Sequence, residues 1–494
     1  MKKGFNNELY LKKQSEKIKE RINMFNGKLY LEFGGKLFDD YHAERVLPGF
    51  HNDSKIKLLE ELKEDLELIF CINAEHIEKN KIRADYGITY DMDVLRLIDN
   101  LKERGIQINS VVITLYTGQN MALNFKKKLE SRNIKTYLHT PTKGYPTDID
   151  VIVSDEGYGA NPYIETTKPL VVVTAPGPCS GKLATCLSQL YYENKMNIKA
   201  GYAKFETFPV WNMPLKHPIN MAYEAATADL KDINMIDSFH LDNYGISTVN
   251  YNRDLEVFPV LKTILHKITQ TDIYKSPTDM SVNMIGFCID DDKKVCQAAL
   301  KEIIRRYYKA LCAYKMGNGD KETMLRIKIL MNELNLVETD LDVVNPCINK
   351  YNEEKKHVMS LKLPGGKIIT GKESELLSPT ASLIINAIKE LNNIPDKVYL
   401  LSPSVLEPII KLKKITSDKA AYILNLQEVL IALSICAVTN PIIEKCFDSL
   451  EQLKDCEAHA SYIVNNGDLN VLRKLKINLT CEPIFYNDKL YDNV

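Results

Sequence analysis

No stretch of this 494-residue chain reaches about eighteen uninterrupted apolar residues, so no membrane-spanning helix is expected. The opening residues, Met1-Lys2-Lys3-Gly4-Phe5-Asn6-Asn7-Glu8, lack the apolar core of a secretory leader. Charge of one sign is also missing: 64 Lys and Arg stand against 65 Asp and Glu, a formal net charge of −1. Neither nucleic acid nor a membrane surface would meet a global basic field, so neither is an expected partner. Eleven cysteines occur singly, with no C-x-x-C pair, which disfavours a disulfide framework or a structural zinc site and fits reduced thiols. The nine histidines form no H-E-x-x-H and no pair at ligand spacing, so no transition metal is expected. Without a G-x-S-x-G elbow, serine-hydrolase chemistry has no support. These absences leave a cytoplasmic protein acting on small molecules, with a homo-oligomeric state left open.

What is present begins at residues 171–185, Val-Val-Val-Thr-Ala-Pro-Gly-Pro-Cys-Ser-Gly-Lys-Leu-Ala-Thr. A β-branched run enters a Gly/Pro/Ser turn and then a segment with Leu183, Leu187, Leu190 and Tyr191 at helical spacing. A strand feeding a helix through such a turn aims backbone N–H groups and the positive helix end at one spot, an anion site. Gly177, Ser180, Gly181, Lys182 and Thr185 are the expected cofactor-binding residues, Lys182 as a point charge and Thr185 as a hydroxyl for phosphate or metal. The match to G-x-x-x-x-G-K-[ST] is deviant: Gly177 and Gly181 enclose three residues, Pro178 lacks an N–H, and Leu183 replaces the hydroxyl. A plain β–α connection with a solvated lysine is the competing reading.

Together with Leu29-Tyr30-Leu31-Glu32-Phe33-Gly34-Gly35-Lys36, 143-Lys-Gly-Tyr-Pro-Thr-Asp-148, Ala203-Lys204-Phe205-Glu206 through Asn212, and Val249-Asn250-Tyr251-Asn252-Arg253-Asp254, this turn resembles the bacterial uncharacterised-protein family 0371, also called domain of unknown function 1846. The resemblance runs over essentially the whole chain. It implies a multi-domain cytosolic α/β protein and no particular activity. Where the family turn usually has glycine this chain has Cys179, which narrows the backbone freedom there.

Short apolar runs alternating with amphipathic stretches predict strands near 28–33, 67–72, 110–116, 135–139, 149–153, 170–175 and 198–205, with helices near 56–64, 91–104, 121–131 and 182–193. This is the pattern of a mostly parallel, Rossmann-like α/β sheet covered on both faces, with ligands gathering beyond the strands' carboxyl ends. The expected organisation is 1–220 as this domain with its deviant P-loop, 221–335 as a helical subdomain, and 336–494 as a smaller C-terminal α/β domain. A hairpin is expected over 361–371 with Pro364-Gly365-Gly366-Lys367 as its turn.

Polar blocks at the predicted strand ends supply further candidates. Lys36 follows a glycine pair that would let backbone approach a phosphate, and Asp39, Asp40 and His42 follow it. Asp148 and Asp150, two apart on an extended segment, would face one side and suit Mg²⁺; Asp148 is the expected metal ligand, with turn capping as the alternative. Lys204 and Glu206 alternate around Phe205, and a buried pair of opposite charges is costly unless it is paired or functional. They and Arg253 are the candidate catalytic residues. The favoured function is a nucleotide- or phosphate-binding enzyme, using ATP with Mg²⁺ for phosphoryl transfer or ligation. The alternatives are an enzyme acting on a phosphorylated metabolite without ATP, or a non-catalytic nucleotide-binding sensor or scaffold.

Overall fold

A computed structural model of the chain describes residues 3–25, 27–38, 40–83, 87–416 and 423–488. The candidate Asp39 lies outside the described residues. The chain divides into two compact units, Met1–Ala299 and Leu300–Val494.

Seven parallel strands form the sheet of the first unit: β1 (Leu29–Phe33), β2 (Leu66–Asn73), β3 (Ile108–Thr114), β4 (Lys135–Leu138), β5 (Leu170–Thr174), β6 (Gly201–Phe205) and β7 (Ser281–Val282). Their spatial order is β7-β6-β1-β5-β2-β3-β4. β2 and β5 are buried at every position, as all-apolar runs in a parallel sheet must be when helices cover both faces. Helices Lys182–Lys195 and Asn252–Thr269 pack on one face and send Leu187, Leu190, Leu261 and Leu265 into the core. From β2 the chain proceeds to β3, whereas from β5 it crosses to β6. Connections therefore diverge between β5 and β2, the place where open parallel sheets bind ligands at their carboxyl edge.

Two expectations need correcting. Residues 149–153 form a short helix, Ile149–Ile152, rather than a strand; so short a stretch, apolar at 149 and 151–153, cannot be told from a helical turn by periodicity, and Asp148 caps this one. The predicted strand 110–116 ends at Thr114 because Leu115 turns into the left-handed region at φ 54°. Over 221–335 the chain is largely helical, but it also contains an antiparallel pair, Asn234–Ile236 with Val249–Tyr251, and it supplies β7 to the first sheet.

The second unit carries a four-stranded mixed sheet. β8 (Val358–Lys362) and β9 (Ile368–Lys372) form the expected hairpin, β10 (Glu457–Ala460) runs antiparallel to β8, and β11 (Asn478–Cys481) runs parallel to β10. Helix Pro379–Leu391 buries Leu383, Ile384 and Ile388 in its core.

Candidate functional site

The turn from β5 to helix Lys182–Lys195 is held down by side chains from the two neighbouring strand ends. Asn73 Nδ2 donates to the Cys179 carbonyl at 3.1 Å, and Thr114 Oγ1 donates to the Ser180 carbonyl at 2.8 Å. In a trans peptide the N–H points opposite to the C=O of the preceding residue. Pinning those carbonyls to the sheet edge therefore turns the amides of Ser180 and Gly181 away from it. The helix opens on Gly181 in the left-handed region (φ 78°), with no side-chain cap and no acid in its first turn. Cys179 occupies the left-handed region as well, at φ 54°, a conformation that suits the glycine expected there. A Cβ on Gly181 would lie 2.9 Å from the Thr114 side chain, and one on Gly177 would lie 2.5 Å from the Tyr90 ring. Packing alone thus demands both glycines. The Ser180 hydroxyl is buried, 3% exposed, with no hydrogen-bond partner among the described residues.

Thr185 does not reach outward as expected. It is buried, its hydroxyl donates to the Gly181 carbonyl at 3.0 Å, and the Cys71 thiol donates to it at 3.4 Å. Burial pushes that thiol up to about 12, so Cys71 is an inert neutral group.

Beside the turn lies a charged cluster built by strand register. Glu32 of β1 is the direct neighbour of Lys204 on β6, so both project to the face covered by the two helices. Phe33 and Phe205 stack on the opposite face, ring centroids 4.0 Å apart. Lys204 Nζ lies 2.6 Å from Glu206 and 2.8 Å from Asp254 of helix Asn252–Thr269. Tyr202 donates its hydroxyl to Glu32 Oε2 at 2.8 Å, and Lys182 Nζ sits 3.9 Å from Glu32 Oε1. Burial alone would pull the Lys204 ammonium down, but the carboxylates of Asp254, Glu206 and Glu32 outweigh it and hold it above its ordinary value. Burial raises the Glu206 carboxyl; Lys204 opposes this, Asp254 and Glu32 add to it, and the net rise brings the group to about 7.

The structure thus brings Lys182, Lys204 and Glu206 together. Arg253 is 52% exposed and pairs with Asp232 at 3.3 Å rather than with Lys204. Asp148 is exposed and spends its carboxylate on the Val151 amide at 3.1 Å. Because residues 149–152 are helical, Asp148 and Asp150 do not share a face; Asp150 pairs instead with Lys267. Lys36 is an exposed residue of the loop after β1. Asp40 caps helix Tyr41–Val46 and pairs with the buried Lys55 at 2.9 Å, while His42 packs against the Tyr223 ring.

Glu32 and Asp254, visible in the sequence only as parts of longer polar motifs and given no role there, are members of the cluster, and each carried a signal. Glu32 interrupts a strand otherwise buried at every position, where a carboxylate needs a partner. Asp254 stands four residues before Phe258 and seven before Leu261, in phase with the buried stripe, whereas Arg253 is out of phase with it.

Fold and edge define a parallel α/β protein, covered on both faces, whose polar cluster collects at the carboxyl ends of its central strands. The family model described as "Domain of unknown function DUF1846, N-terminal" matches residues 3–335, and its C-terminal counterpart matches residues 339–491. UPF0371 proteins of Clostridium botulinum (strain Eklund 17B / Type B) and Clostridium tetani (strain Massachusetts / E88) are 58% and 57% identical over the whole of both chains. That of Clostridioides difficile (strain 630) is 56% identical over 99% of this chain. The chain belongs to this family, UPF0371/DUF1846, whose function is unknown. Among the described residues no helix is long and apolar enough to cross a membrane.

Proposed function

We propose that the first unit is an enzyme that binds a phosphate-bearing small molecule, a nucleotide foremost, at the turn before helix Lys182–Lys195. The observation that carries this reading is the pinned turn. Two carbonyls are tied to the strand ends, so the amides of Ser180 and Gly181 join the uncapped first-turn amides, which have no partner within the helix. Lys182 adds a cation that stands 3.9 Å from Glu32, too far for a hydrogen bond, and is therefore available to an anion. For ATP with Mg²⁺ the carboxylate at hand is Glu32, because Asp148 is engaged as a cap. Lys204 and Glu206 stand next to it, a cation to hold developing charge and a carboxyl near neutrality to carry a proton.

That same carboxyl favours a second reading, acid–base conversion of a phosphorylated metabolite without ATP. Thermal-shift titration with nucleotides, sugar phosphates and inorganic phosphate, each with and without Mg²⁺, separates the two. A ligand at a hundredfold its Kd adds about 2.7 kcal/mol. Magnesium-dependent nucleotide binding supports the first reading, and metal-independent binding of a phosphorylated metabolite supports the second. If no phosphate compound stabilises the protein, or if Lys182→Ala binds as tightly as the native chain, the assignment of the turn is wrong.

A further inference from the structure

Away from this edge, three ligating side chains of different chemistry meet at one point. His217 immediately precedes helix Pro218–Ala226, and Asp292 and Cys296 stand four residues apart, on one face, in the first turns of helix Asp292–Lys315. His217 Nε2 lies 3.1 Å from Asp292 Oδ1 and 3.4 Å from Cys296 Sγ, and the thiol lies 3.7 Å from Asp292 Oδ2. We propose that His217, Asp292 and Cys296 form a binding site for a divalent transition cation of the zinc class, with an open fourth position for water.

The spacing is the first support. Tetrahedral zinc bonds of about 2.0–2.1 Å to nitrogen and oxygen and about 2.3 Å to sulfur put neighbouring donor atoms roughly 3.3–3.6 Å apart. The ring nitrogen lies 3.1 Å from one Asp292 oxygen and 3.4 Å from the sulfur, the sulfur lies 3.7 Å from the other oxygen, and one donor atom from each residue all lie within 4.8 Å of one another, so loading draws together a trio that is already assembled. The donor set is the second support: imidazole, carboxylate and thiol together match zinc and its neighbours, while the hard cations calcium and magnesium prefer oxygen alone. A plain His–Asp hydrogen bond accounts for the 3.1 Å contact but gives the thiol no reason to approach the same nitrogen. Burial differs across the trio as an open site requires. His217 is buried, and the Asp292 side chain is 56% exposed, so the fourth position opens toward solvent. The sequence hides the site because its histidine lies 75 residues from its carboxylate.

One contact has to change on loading. The Ile219 amide donates to His217 Nδ1 at 3.2 Å, which leaves the ring proton on Nε2. A ring that ligates through Nε2 carries its proton on Nδ1 instead, so the cation must release the Ile219 amide. Metal binding is thereby coupled to the start of helix Pro218–Ala226 and weakened by the lost cap.

The test uses the full chain, stripped with chelator and titrated with Co²⁺. One equivalent should produce the near-ultraviolet band of a cobalt–thiolate bond with the intense visible bands of a four-coordinate ion, and Zn²⁺ should displace them. Cys296→Ser should remove the near-ultraviolet band. Asp292→Asn, a change at a half-exposed side chain that the fold tolerates, should weaken binding by about tenfold or more. Hydrogen exchange at the Ile219 amide should quicken on loading. No cobalt–thiolate band in the native chain, a band that survives Cys296→Ser, or unchanged affinity in Asp292→Asn would each overturn the proposal.

Discussion

Replacing Lys204 with Met strips the cation from a cluster of three carboxylates. In the native chain its ammonium lies 2.6 Å from Glu206 and 2.8 Å from Asp254, with Glu32 in register on the next strand. Removing one partner of a buried ion pair costs about 3–5 kcal/mol, because the remaining charge stays desolvated. The Lys204 side chain keeps 24% of its exposure, so the low end, about 3 kcal/mol, is expected at pH 8. The chain's one tryptophan reports this directly: Trp211 belongs to the first unit, and its indole donates to the Asn283 carbonyl at 2.8 Å. Urea unfolding followed by its fluorescence should show the loss. The pH dependence identifies the cause. A folded carboxyl raised above its unfolded value stabilises at low pH and loses that contribution as pH rises through the folded value. For Glu206 in the native chain the window lies between the ordinary carboxylate range and about 7, so above pH 7 this group gives no slope. Lys204 holds the Glu206 carboxyl down, so without it the Glu206 proton is held more tightly and the window moves upward. The variant should then lose stability between pH 7 and 8.5 at up to about 1.4 kcal/mol per pH unit for each proton held, where the native chain does not. A loss below about 1 kcal/mol at pH 8, or parallel pH profiles for the two proteins, would refute the account of Lys204 as the counter-ion of a buried acidic cluster.

Neighbouring positions should separate sharply. Asp254→Ala should cost about 2–4 kcal/mol by urea unfolding, whereas Arg253→Ala, at an exposed pair, should cost under about 1 kcal/mol. Lys182→Ala should leave stability within about 1 kcal/mol while weakening phosphate-compound binding by titration calorimetry. Gly181→Ala forces a Cβ into the left-handed region and against Thr114, so its thermal midpoint should fall by the equivalent of about 1–3 kcal/mol. Asp148→Ala should lose about 1 kcal/mol of cap energy and leave Mg²⁺-dependent binding intact; a drop in magnesium affinity would restore it as a ligand.

The alternation of apolar runs with amphipathic stretches was enough to read the parallel α/β architecture, because buried parallel strands leave no other composition open to them. The strand–turn–helix at 170–195 and the hairpin at 358–372 were legible for the same local reasons: β-branched runs, glycine turns and helical spacing. What eluded the sequence depends on register and on helix phase. Lys204 was visible as a costly buried charge, but its partners come from strand β1 and from a helix fifty residues later, and only the assembled sheet sets them side by side. The segment 149–153 was misread as a strand because an aspartate before a short, mostly apolar run opens a strand or caps a helix equally well, and only tertiary packing chooses.

The two-residue strand Ser281–Val282 has a consequence for how the chain is made. It is the outermost member of the first sheet, and it pairs with Lys204 and Phe205, 77 residues earlier by the difference between 281 and 204. Until it emerges, the outer edge of Gly201–Phe205 offers unpaired N–H and C=O groups to any other strand in reach. At about 5–20 residues per second of synthesis, that edge stays open for roughly 4–15 s on the ribosome. A fragment ending at residue 220 would keep it open permanently and would also lack Asp254, leaving Lys204 without one of its two close carboxylates. Aggregation of such a fragment, and its rescue by extension past residue 282, is the behaviour this late-arriving strand imposes.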